Sequence, residues 1–292
     1  MAILRLRSLG DCVLTTPAIE ILKRYRPDLR LAVVVEDRFR DLFTGNPDVD
    51  EILPPEGRVV RRFRPRVCLN LHGGTRSAWL TASSGASLRA GFAHFRHQFL
   101  YNVRIPRAQE ILGAERKVHT AEHLASAVFY LGAPQGEIPR AKLAADTTGP
   151  AAGKAGCATI HPFGAAPAKC WRADGFLTVA EFLRGAGIEP VFIGAAADDL
   201  SPFRSYRCIS GAPLRDVKGL LNRSSLFIGN DSGPAHMAAA FGIPVVVIFG
   251  PSDPAIWGPW RTASEIVRSP DGIQGVEPAQ VVDALARLRV AA

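Results

Sequence analysis

Four continuous apolar runs in the second half of the chain constrain the fold more than any other feature. They are CATIH (157–161), EPVFIG (189–194), SLFIGN (225–230) and PVVVIFG (244–250). None of them alternates apolar with polar residues, which is typical of strands that are buried on both faces. The intervening stretches predict helices at 175–187, 213–224 and 233–242. The second half is therefore predicted to be a parallel sheet covered by helices, a doubly wound α/β domain.

The first half repeats this alternation with shorter elements. Strands are predicted at 2–7, 29–36, 50–54 and 66–71, and helices at 15–27, after HGGT (72–75) and at 115–132. SLGD (8–11) is predicted to be a turn after the first strand. The helix after it is expected to begin near Thr15, with Thr16 as its cap. Pro17 then lies in the first turn, where its missing N–H does no harm.

Residues 132–156 are rich in Pro, Gly and Ala and carry no long periodic apolar pattern. This composition predicts a connection between two domains, with one edge strand within it. The domains are predicted to span residues 1–150 and 151–292. The last helix, at 277–290, is expected to pack back on the first domain.

Composition is that of a soluble globular protein, with 47% hydrophobic and 21% charged residues. No apolar run approaches the roughly 18 residues that a membrane-spanning helix needs. Arg5 and Arg7 interrupt the short apolar stretch at the N-terminus, which is therefore not predicted to be a signal peptide. The five scattered cysteines have neither metal-finger spacing nor a disulfide pattern, so we predict a reducing, cytoplasmic environment.

The formal net charge of +8 points to an anionic partner. Nucleic acid, anionic lipid headgroups and phosphorylated substrates all fit this charge, which is concentrated in RRFRPR (61–66). No helix-turn-helix, zinc-finger or RNA-binding signature accompanies it, so no nucleic-acid partner is predicted.

Ligands of parallel α/β sheets bind at the carboxyl ends of the strands, so the loops after the predicted strands are the candidate sites. In SLGD, Gly10 allows the backbone to approach a ligand closely. Asp11 is either a general base that takes a proton from an attacking hydroxyl or a residue that caps the following helix. The sequence leaves both roles open.

Two loops of the second half carry polar residues. In HPFGAAPAKCW (161–171), Lys169 is either a cation for a departing phosphate or a solvated loop lysine, and Trp171 is expected to pack. In GNDSGPAH (229–236), the N–H groups of Ser232 and Gly233 and the helix dipole suit a diphosphate. A capping role for Asp231 or Ser232 uses the same geometry, and His236 either bonds to the ligand or packs. GPSDPAIWGPW (250–260) is a fourth candidate loop.

Together these segments resemble a known family. RLRSLGDCVLTTPAIEILKRYRPD, HPFGAAPAKCW and FIGNDSGPAHMAAAFGIPVVVIFGPSDP are similar, in order, to motifs of the ADP-heptose:lipopolysaccharide heptosyltransferases, glycosyltransferase family nine. The second segment is closer to the second heptosyltransferase than to the first. NLHGGTRSAWL also fits, with Asn70 where Asp is frequent in the family.

The resemblance implies a GT-B fold, with an acceptor-binding and a nucleotide-sugar-binding Rossmann-like domain and a cleft between them. It implies an inverting transfer without metal or cofactor, in which Asp11 is the base and Lys169 neutralises the leaving diphosphate. Residues implied to bind the donor are Gly10, Asp231, Ser232, Gly233 and His236. The implied acceptor is a lipopolysaccharide core with phosphates and acidic sugars at the inner face of the inner membrane. The residues implied to attract it are Arg61, Arg62 and Arg64.

One departure leaves the donor nucleotide open. Where the family usually has an acidic residue after the strand EPVFIG, this chain has AAADD (195–199), so either Asp198 or Asp199 substitutes or the ribose contact is absent. The alternatives are a transferase with a different nucleotide sugar, a nucleotide-sugar epimerase on the same fold, and a silent nucleotide-sugar binding protein.

Overall fold

The computed structural model describes residues 1–145 and 156–288 and divides the chain into two compact units, Met1–Ala144 and Ala145–Ala292. The predicted boundary at residues 150 and 151 lies outside the described residues, as do residues 289–290 of the predicted last helix. Residues 132–145 form no strand, so the edge strand predicted in the connection is absent from its first part.

The first unit is a parallel six-stranded sheet in the order β3-β2-β1-β4-β5-β6. Its strands are β1 (Ala2–Leu4), β2 (Ala32–Val34), β3 (Glu51–Leu53), β4 (Val67–Asn70), β5 (Leu88–Phe92) and β6 (Val103–Ile105). Its helices are α1 (Leu9–Tyr25), α2 (Gly57–Arg62), α3 (Thr75–Ser83), α4 (Ala108–Leu112) and α5 (Thr120–Tyr130). α2 and α3 pack their apolar side chains on one face of the sheet, while α1 packs against α5.

The second unit has the equivalent order β12-β11-β10-β7-β8-β9, also parallel. Its strands are β7 (Cys157–His161), β8 (Glu189–Gly194), β9 (Arg207–Ser210), β10 (Leu226–Asn230), β11 (Val245–Ile248) and β12 (Ser264–Val267). Its helices are α6 (Ala173–Gly185), α7 (Leu214–Arg223), α8 (Gly233–Phe241), α9 (Pro254–Trp257) and α10 (Pro278–Arg287).

Alternate residues of β7 enter two different cores, which is how a strand covered on both faces behaves. Ala158 and Ile160 pack in a core that includes residues of α6 and α10, whereas Cys157 packs with Leu220 of α7. The predicted doubly wound architecture is therefore confirmed. α10 buries Val281, Ala284 and Leu285 in the core of the second unit.

The first helix begins six residues earlier than predicted, so SLGD is not a free turn. Ser8 is the N-cap, and Thr16 and Pro17 lie inside α1. Pro17 has no N–H for the carbonyl of Val13, four residues back. The Thr16 hydroxyl donates to that carbonyl at 2.8 Å instead, and accepts a bond from Lys142 N–H at 2.8 Å. Thr16 thus replaces a lost helical hydrogen bond and is not a cap.

Four strands were absent from the prediction: β5, β6, β9 and β12. β6, β9 and β12 are edge strands of three or four residues, and β5 contains Arg89 and Gly91, so none has a long apolar run. The predicted helix at 115–132 begins only at Thr120, whereas α8 ends as expected at Gly242, which has a left-handed φ of 75°. No described helix is both long and apolar enough to cross a bilayer.

Candidate functional site

Asp11 lies in the first turn of α1, directly beyond the carboxyl end of β1. The Ser8 hydroxyl donates to Asp11 Oδ2 at 3.0 Å, and the Ser8 N–H donates to the same oxygen at 3.4 Å. Gly10 is the second residue of this helix and is buried. Asp11 therefore has the capping role that the sequence left open. Its side chain is still partly exposed, so the carboxylate is accessible to a ligand.

Arg5 is the cation nearest to Asp11, and the sequence did not single it out as a site residue. Its guanidinium is buried and lies 3.7 Å from Asp11 Oδ1. Burial lowers the pKa of Arg5, while the Asp11 carboxylate raises it. Arg5 follows β1 immediately, and that position after a predicted strand was the signal that could have identified it.

The loop after β4 is organised by Asn70, which is fully buried. Its amide donates to Ser77 Oγ at 3.1 Å and to the Tyr101 hydroxyl at 2.9 Å, and its carbonyl oxygen accepts from His72 N–H at 2.9 Å and Gly73 N–H at 3.0 Å. Asn70 thereby fixes His72 at the carboxyl edge of the sheet. The pKa of His72 is lowered by burial and by Arg5 and Arg7.

Two further histidines lie close to each other in this unit, and His123 also interacts electrostatically with Arg5. His94 follows β5, and His123 on α5 stacks on the Phe92 ring with centroids 4.1 Å apart. The pKa of His123 is lowered to about 4 by burial, with smaller effects from His94 and Arg5, so this imidazole is neutral at pH 7. The sequence missed His94 because β5 was not predicted, and it missed His123 because that residue lies within a predicted helix and not in a loop after a predicted strand.

In the second unit, Lys169 and Asp231 form an ion pair. Lys169 ends a short 3-10 helix (Pro167–Lys169), and Asp231 follows β10. Lys169 Nζ donates to Asp231 Oδ2 at 2.8 Å, and the side chains are 31% and 7% exposed, respectively. A partly exposed ammonium is thus held by a buried carboxylate, one residue before the N-cap of α8.

The amino end of α8 gathers the other predicted donor-binding residues. Ser232 is the N-cap, but its hydroxyl makes no capping bond and instead contacts His161 Nδ1 at 3.1 Å. The backbone N–H groups of a helix's first turn have no intrahelical partners, so those at Ser232 and Gly233 suit an anion. His236 lies one turn further in and is buried. The pKa of His161 is lowered to about 4 by burial.

Close packing fixes the loops around Lys169. Asn230 accepts from Trp171 N–H at 3.1 Å and donates to the Pro162 carbonyl at 2.8 Å. The Trp171 indole is buried and donates to the Val276 carbonyl at 2.8 Å, so Trp171 packs, as predicted. A Cβ at Gly250 would lie 2.5 Å from the Ala168 carbonyl oxygen, so only glycine allows the fourth loop to approach here.

The aspartates after β8 bind backbone. Asp198 Oδ2 accepts from Ala195 N–H at 2.7 Å, and Asp199 Oδ1 accepts from Ser201 N–H at 2.9 Å. Asp198 lies at the carboxyl edge of the sheet and interacts electrostatically with His161. Of the two candidates for a ribose contact, Asp198 is therefore the one near the α8 end.

Arg61, Arg62 and Arg64 lie elsewhere. They precede β4, which runs parallel to β1, so they occupy the amino edge of the first sheet, whereas Asp11 lies at its carboxyl edge. The sequence order could have predicted this position, since the arginine run comes before the strand 66–71 and not after it. Within residues 1–145 and 156–288, no group of three or more His, Cys, Asp or Glu side chains could hold a metal ion.

Comparison with known proteins identifies the family. The model of glycosyltransferase family 9 (heptosyltransferase) matches residues 57–277, a range that includes the second-unit site but not Asp11. Lipopolysaccharide heptosyltransferase 3 of Escherichia coli (strain K12) is 25% identical over 287 residues, which cover 86% of this chain and 82% of that protein.

Two solved structures share the fold over nearly their whole length. A family 9 glycosyl transferase from Veillonella parvula has a TM-score of 0.88 at 21% identity, covering 100% of this chain and 97% of that one. The ADP-heptose lps heptosyltransferase II of E. coli has a TM-score of 0.84 at 19% identity, covering 99% and 98%. These structures confirm the predicted GT-B fold class. Because the family model matches most of its length, the chain belongs to glycosyltransferase family 9, the heptosyltransferase family, and is a glycosyltransferase.

Proposed function

We propose that this protein transfers a heptose from ADP-heptose to an acidic acceptor of the lipopolysaccharide core, with inversion at the anomeric carbon and without a metal ion. The observation that carries the proposal is the Lys169–Asp231 ion pair beside the amino end of α8. A cation and a helix N-terminus next to each other are what a leaving diphosphate needs.

The donor half of the reaction uses residues of the second unit. The diphosphate binds the N–H groups of Ser232 and Gly233, with His236 contributing a further contact. As the bond between the anomeric carbon and the diphosphate oxygen breaks, Lys169 stabilises the charge that develops on that oxygen. Asp231 keeps the ammonium at this place, because a buried carboxylate holds a lysine better than solvent does.

The acceptor half uses Asp11. The acceptor hydroxyl attacks the anomeric carbon and gives its proton to the Asp11 carboxylate, while the bonding electron pair leaves with ADP. Ser8 and Arg5 orient this carboxylate from two sides. A single displacement with one base inverts the anomeric carbon and requires no second carboxylate, unlike the paired carboxylates of glycoside hydrolases.

The acceptor's acidic groups are assigned to cations at the carboxyl edge of the first sheet. Arg7 is exposed beside Ser8, and Arg107, which follows β6, is exposed near His94. The acceptor contact predicted for Arg61, Arg62 and Arg64 stays a prediction. Their position at the other edge argues against direct contact with a hydroxyl that is activated at Asp11.

ADP is proposed as the donor nucleotide because the structurally similar E. coli enzyme is named for ADP-heptose. Asp198 is the carboxylate available for a ribose contact. The likeness to the second heptosyltransferase remains a prediction, since one relative found by sequence is a heptosyltransferase 3. We assign the reaction to the cytoplasm, consistent with five free cysteines among the described residues.

The test is heptosyl transfer by wild-type protein and by Asp11→Asn, with Asp37→Asn as the matched control. Asp37 is likewise a carboxylate in the first turn of a helix, the 3-10 helix Asp37–Leu42, and it follows β2 at the same edge of the sheet. Asp11→Asn should lower the transfer rate by about two to four orders of magnitude with little effect on ADP affinity, whereas Asp37→Asn should not. Chelator should leave the rate unchanged, and NMR should show inversion in the product.

Near-normal transfer by Asp11→Asn would remove Asp11 from the mechanism. A rate that chelator abolishes would contradict metal independence. ADP-, GDP- and UDP-sugars are compared as donors by thermal shift, since a ligand of the folded state raises its stability. A larger shift with a GDP- or UDP-sugar would overturn the assigned donor.

A further inference from the structure

Five arginines surround one concavity at the amino edge of the first sheet. It has a volume of about 620 Å³, and the turn of Ser84, Gly85 and Ser87 forms its opposite wall. All five side chains are exposed, and they are contributed by Arg58, Arg61, Arg62, Arg64 and Arg66. We call this group the arginine pocket.

The arginine pocket carries no counter-charge of its own. In the described part of the chain, none of its five guanidinium groups forms an ion pair or donates a side-chain hydrogen bond. Other exposed arginines of the first unit behave differently: Arg24, Arg26 and Arg30 each pair with a carboxylate. Five like charges on one face without a carboxylate leave a positive potential that favours a bound anion.

The dipole of α2 accounts for only some of the arginines in the pocket. Arg61 and Arg62 lie in the last turn of α2, where the helix dipole favours cations. Arg58 lies in the first turn, where the dipole disfavours a cation, and Arg66 lies outside the helix. Stabilisation of α2 therefore does not explain why all five arginines lie in this pocket.

The arginine pocket is separate from the candidate site of the first unit. β4 lies between the pocket and the loop of His72, and four residues of strand span roughly 13 Å at about 3.3 Å per residue. A small group bound at one edge cannot contact the other.

The residues that line the arginine pocket suit a phosphate group, and the pocket is open to solvent. Guanidinium groups bind phosphate oxygens bidentately. None of the described lining residues is aromatic, so a nucleobase would find no ring to stack on. Beside the pocket, Leu88 at the start of β5 is 46% exposed, which places an apolar side chain next to the cations. Cations beside an exposed apolar side chain fit the interface of a bilayer.

We propose that the arginine pocket binds the phosphate groups of anionic lipids and holds the protein at a membrane surface. The phosphates bind the five guanidinium groups, and Leu88 contacts the acyl boundary. The proposal does not depend on the transferred sugar, so its test and that of the proposed function can fail separately.

The test is co-sedimentation of the full chain with vesicles of phosphatidylglycerol and phosphatidylcholine, compared with vesicles of phosphatidylcholine alone. The variant is Arg61→Gln/Arg62→Gln/Arg64→Gly. Glycine is chosen at position 64 because Arg64 has a left-handed φ of 53°, which glycine adopts without strain. The matched control removes the same charge from exposed arginines elsewhere, as Arg140→Gln/Arg204→Gln/Arg268→Gln.

Wild type and control should bind the anionic vesicles and not the phosphatidylcholine vesicles. The pocket variant should lose about 100-fold in partition coefficient, since each of the three basic residues contributes about fivefold near an anionic surface. Binding should weaken with added salt. Unchanged melting of the pocket variant shows that its loss is not unfolding.

Equal binding by pocket variant and control would overturn the proposal, because total charge would then be sufficient. Inorganic pyrophosphate provides a second arm. Saturable binding of pyrophosphate without binding to anionic vesicles would assign the pocket to a free phosphate. Tighter binding of a single-stranded oligonucleotide than of vesicles, lost in the pocket variant, would also overturn the lipid assignment.

Discussion

Replacing Lys169 and Asp231 one at a time separates a ligand-binding ion pair from a structural one. Lys169→Met removes the ammonium and leaves a carboxylate that is only 7% exposed without its partner. Asp231→Asn keeps the side-chain shape and leaves an ammonium that is 31% exposed and can be solvated. Both variants should therefore lower stability, but only Lys169→Met should weaken ADP binding.

The magnitudes follow from burial. Removing one partner of a fully buried pair costs about 3–5 kcal/mol, and an exposed pair contributes about 0–1 kcal/mol. This pair lies between those limits, so Lys169→Met should lower the free energy of unfolding by about 2–3 kcal/mol. Asp231→Asn should lower it by about 1 kcal/mol.

ADP affinity depends on the ammonium itself. One charge-assisted hydrogen bond to a diphosphate oxygen contributes about 1.5–3 kcal/mol, so Lys169→Met should weaken ADP binding about 10- to 100-fold. Asp231→Asn removes a negative charge beside the diphosphate and should leave ADP affinity equal to or higher than that of wild type. Isothermal titration calorimetry measures both affinities.

Lys142→Met is the matched control. Lys142 is likewise about one third exposed and pairs with Asp48 at 2.9 Å and with Glu20 at 3.2 Å, but it belongs to the first unit. Its loss should destabilise the protein without changing ADP affinity. ADP binding by Lys169→Met within about threefold of wild type, or equal weakening by Asp231→Asn, would refute the assigned role.

Two further predictions concern stability. The pKa of His161 is lowered to about 4, so folding disfavours its protonation; stability from this group is complete above pH 6.5 and is lost as the pH falls toward 4. Denaturant unfolding at pH 7 and pH 5 should show His161→Gln losing about 2 kcal/mol less than wild type between these pH values, and an identical loss would contradict the assignment. Thr16→Val should cost about 1–3 kcal/mol because it leaves the Val13 carbonyl without a donor. That cost should shrink in a Pro17→Ala background, which restores the backbone N–H, and strictly additive effects would be the contrary result.

The sequence by itself determined the fold class and the second-unit loops. Continuous apolar runs such as PVVVIFG leave no polar face, so these strands had to be covered on both sides. GNDSGPAH joins the end of one of these runs to the first turn of α8, and that helix ends at Gly242, which adopts the left-handed conformation. The burial of a strand and the end of a helix depend on residues that are close in the sequence, so both can be predicted from a single sequence.

Specific side-chain contacts, and not local helix propensity, determine the residue at which α1 begins. Ser8 and Asp11 form a capping box, and the Thr16 hydroxyl makes Pro17 tolerable inside the helix by bonding to the Val13 carbonyl. Helix propensity alone predicts that the helix begins near Thr15, because a proline such as Pro17 is costly in a helix interior.

Only the tertiary structure decided which residues meet. Lys169 and Asp231 are 62 positions apart and pair because β7 and β10 are neighbours in the sheet. Asp11 was predicted to activate the acceptor hydroxyl and Arg61 to attract the acceptor, but the two residues lie at opposite edges, because every strand of a parallel sheet runs in the same direction. Sequence patterns record the environment of each residue, whereas strand order and direction determine its distant partners.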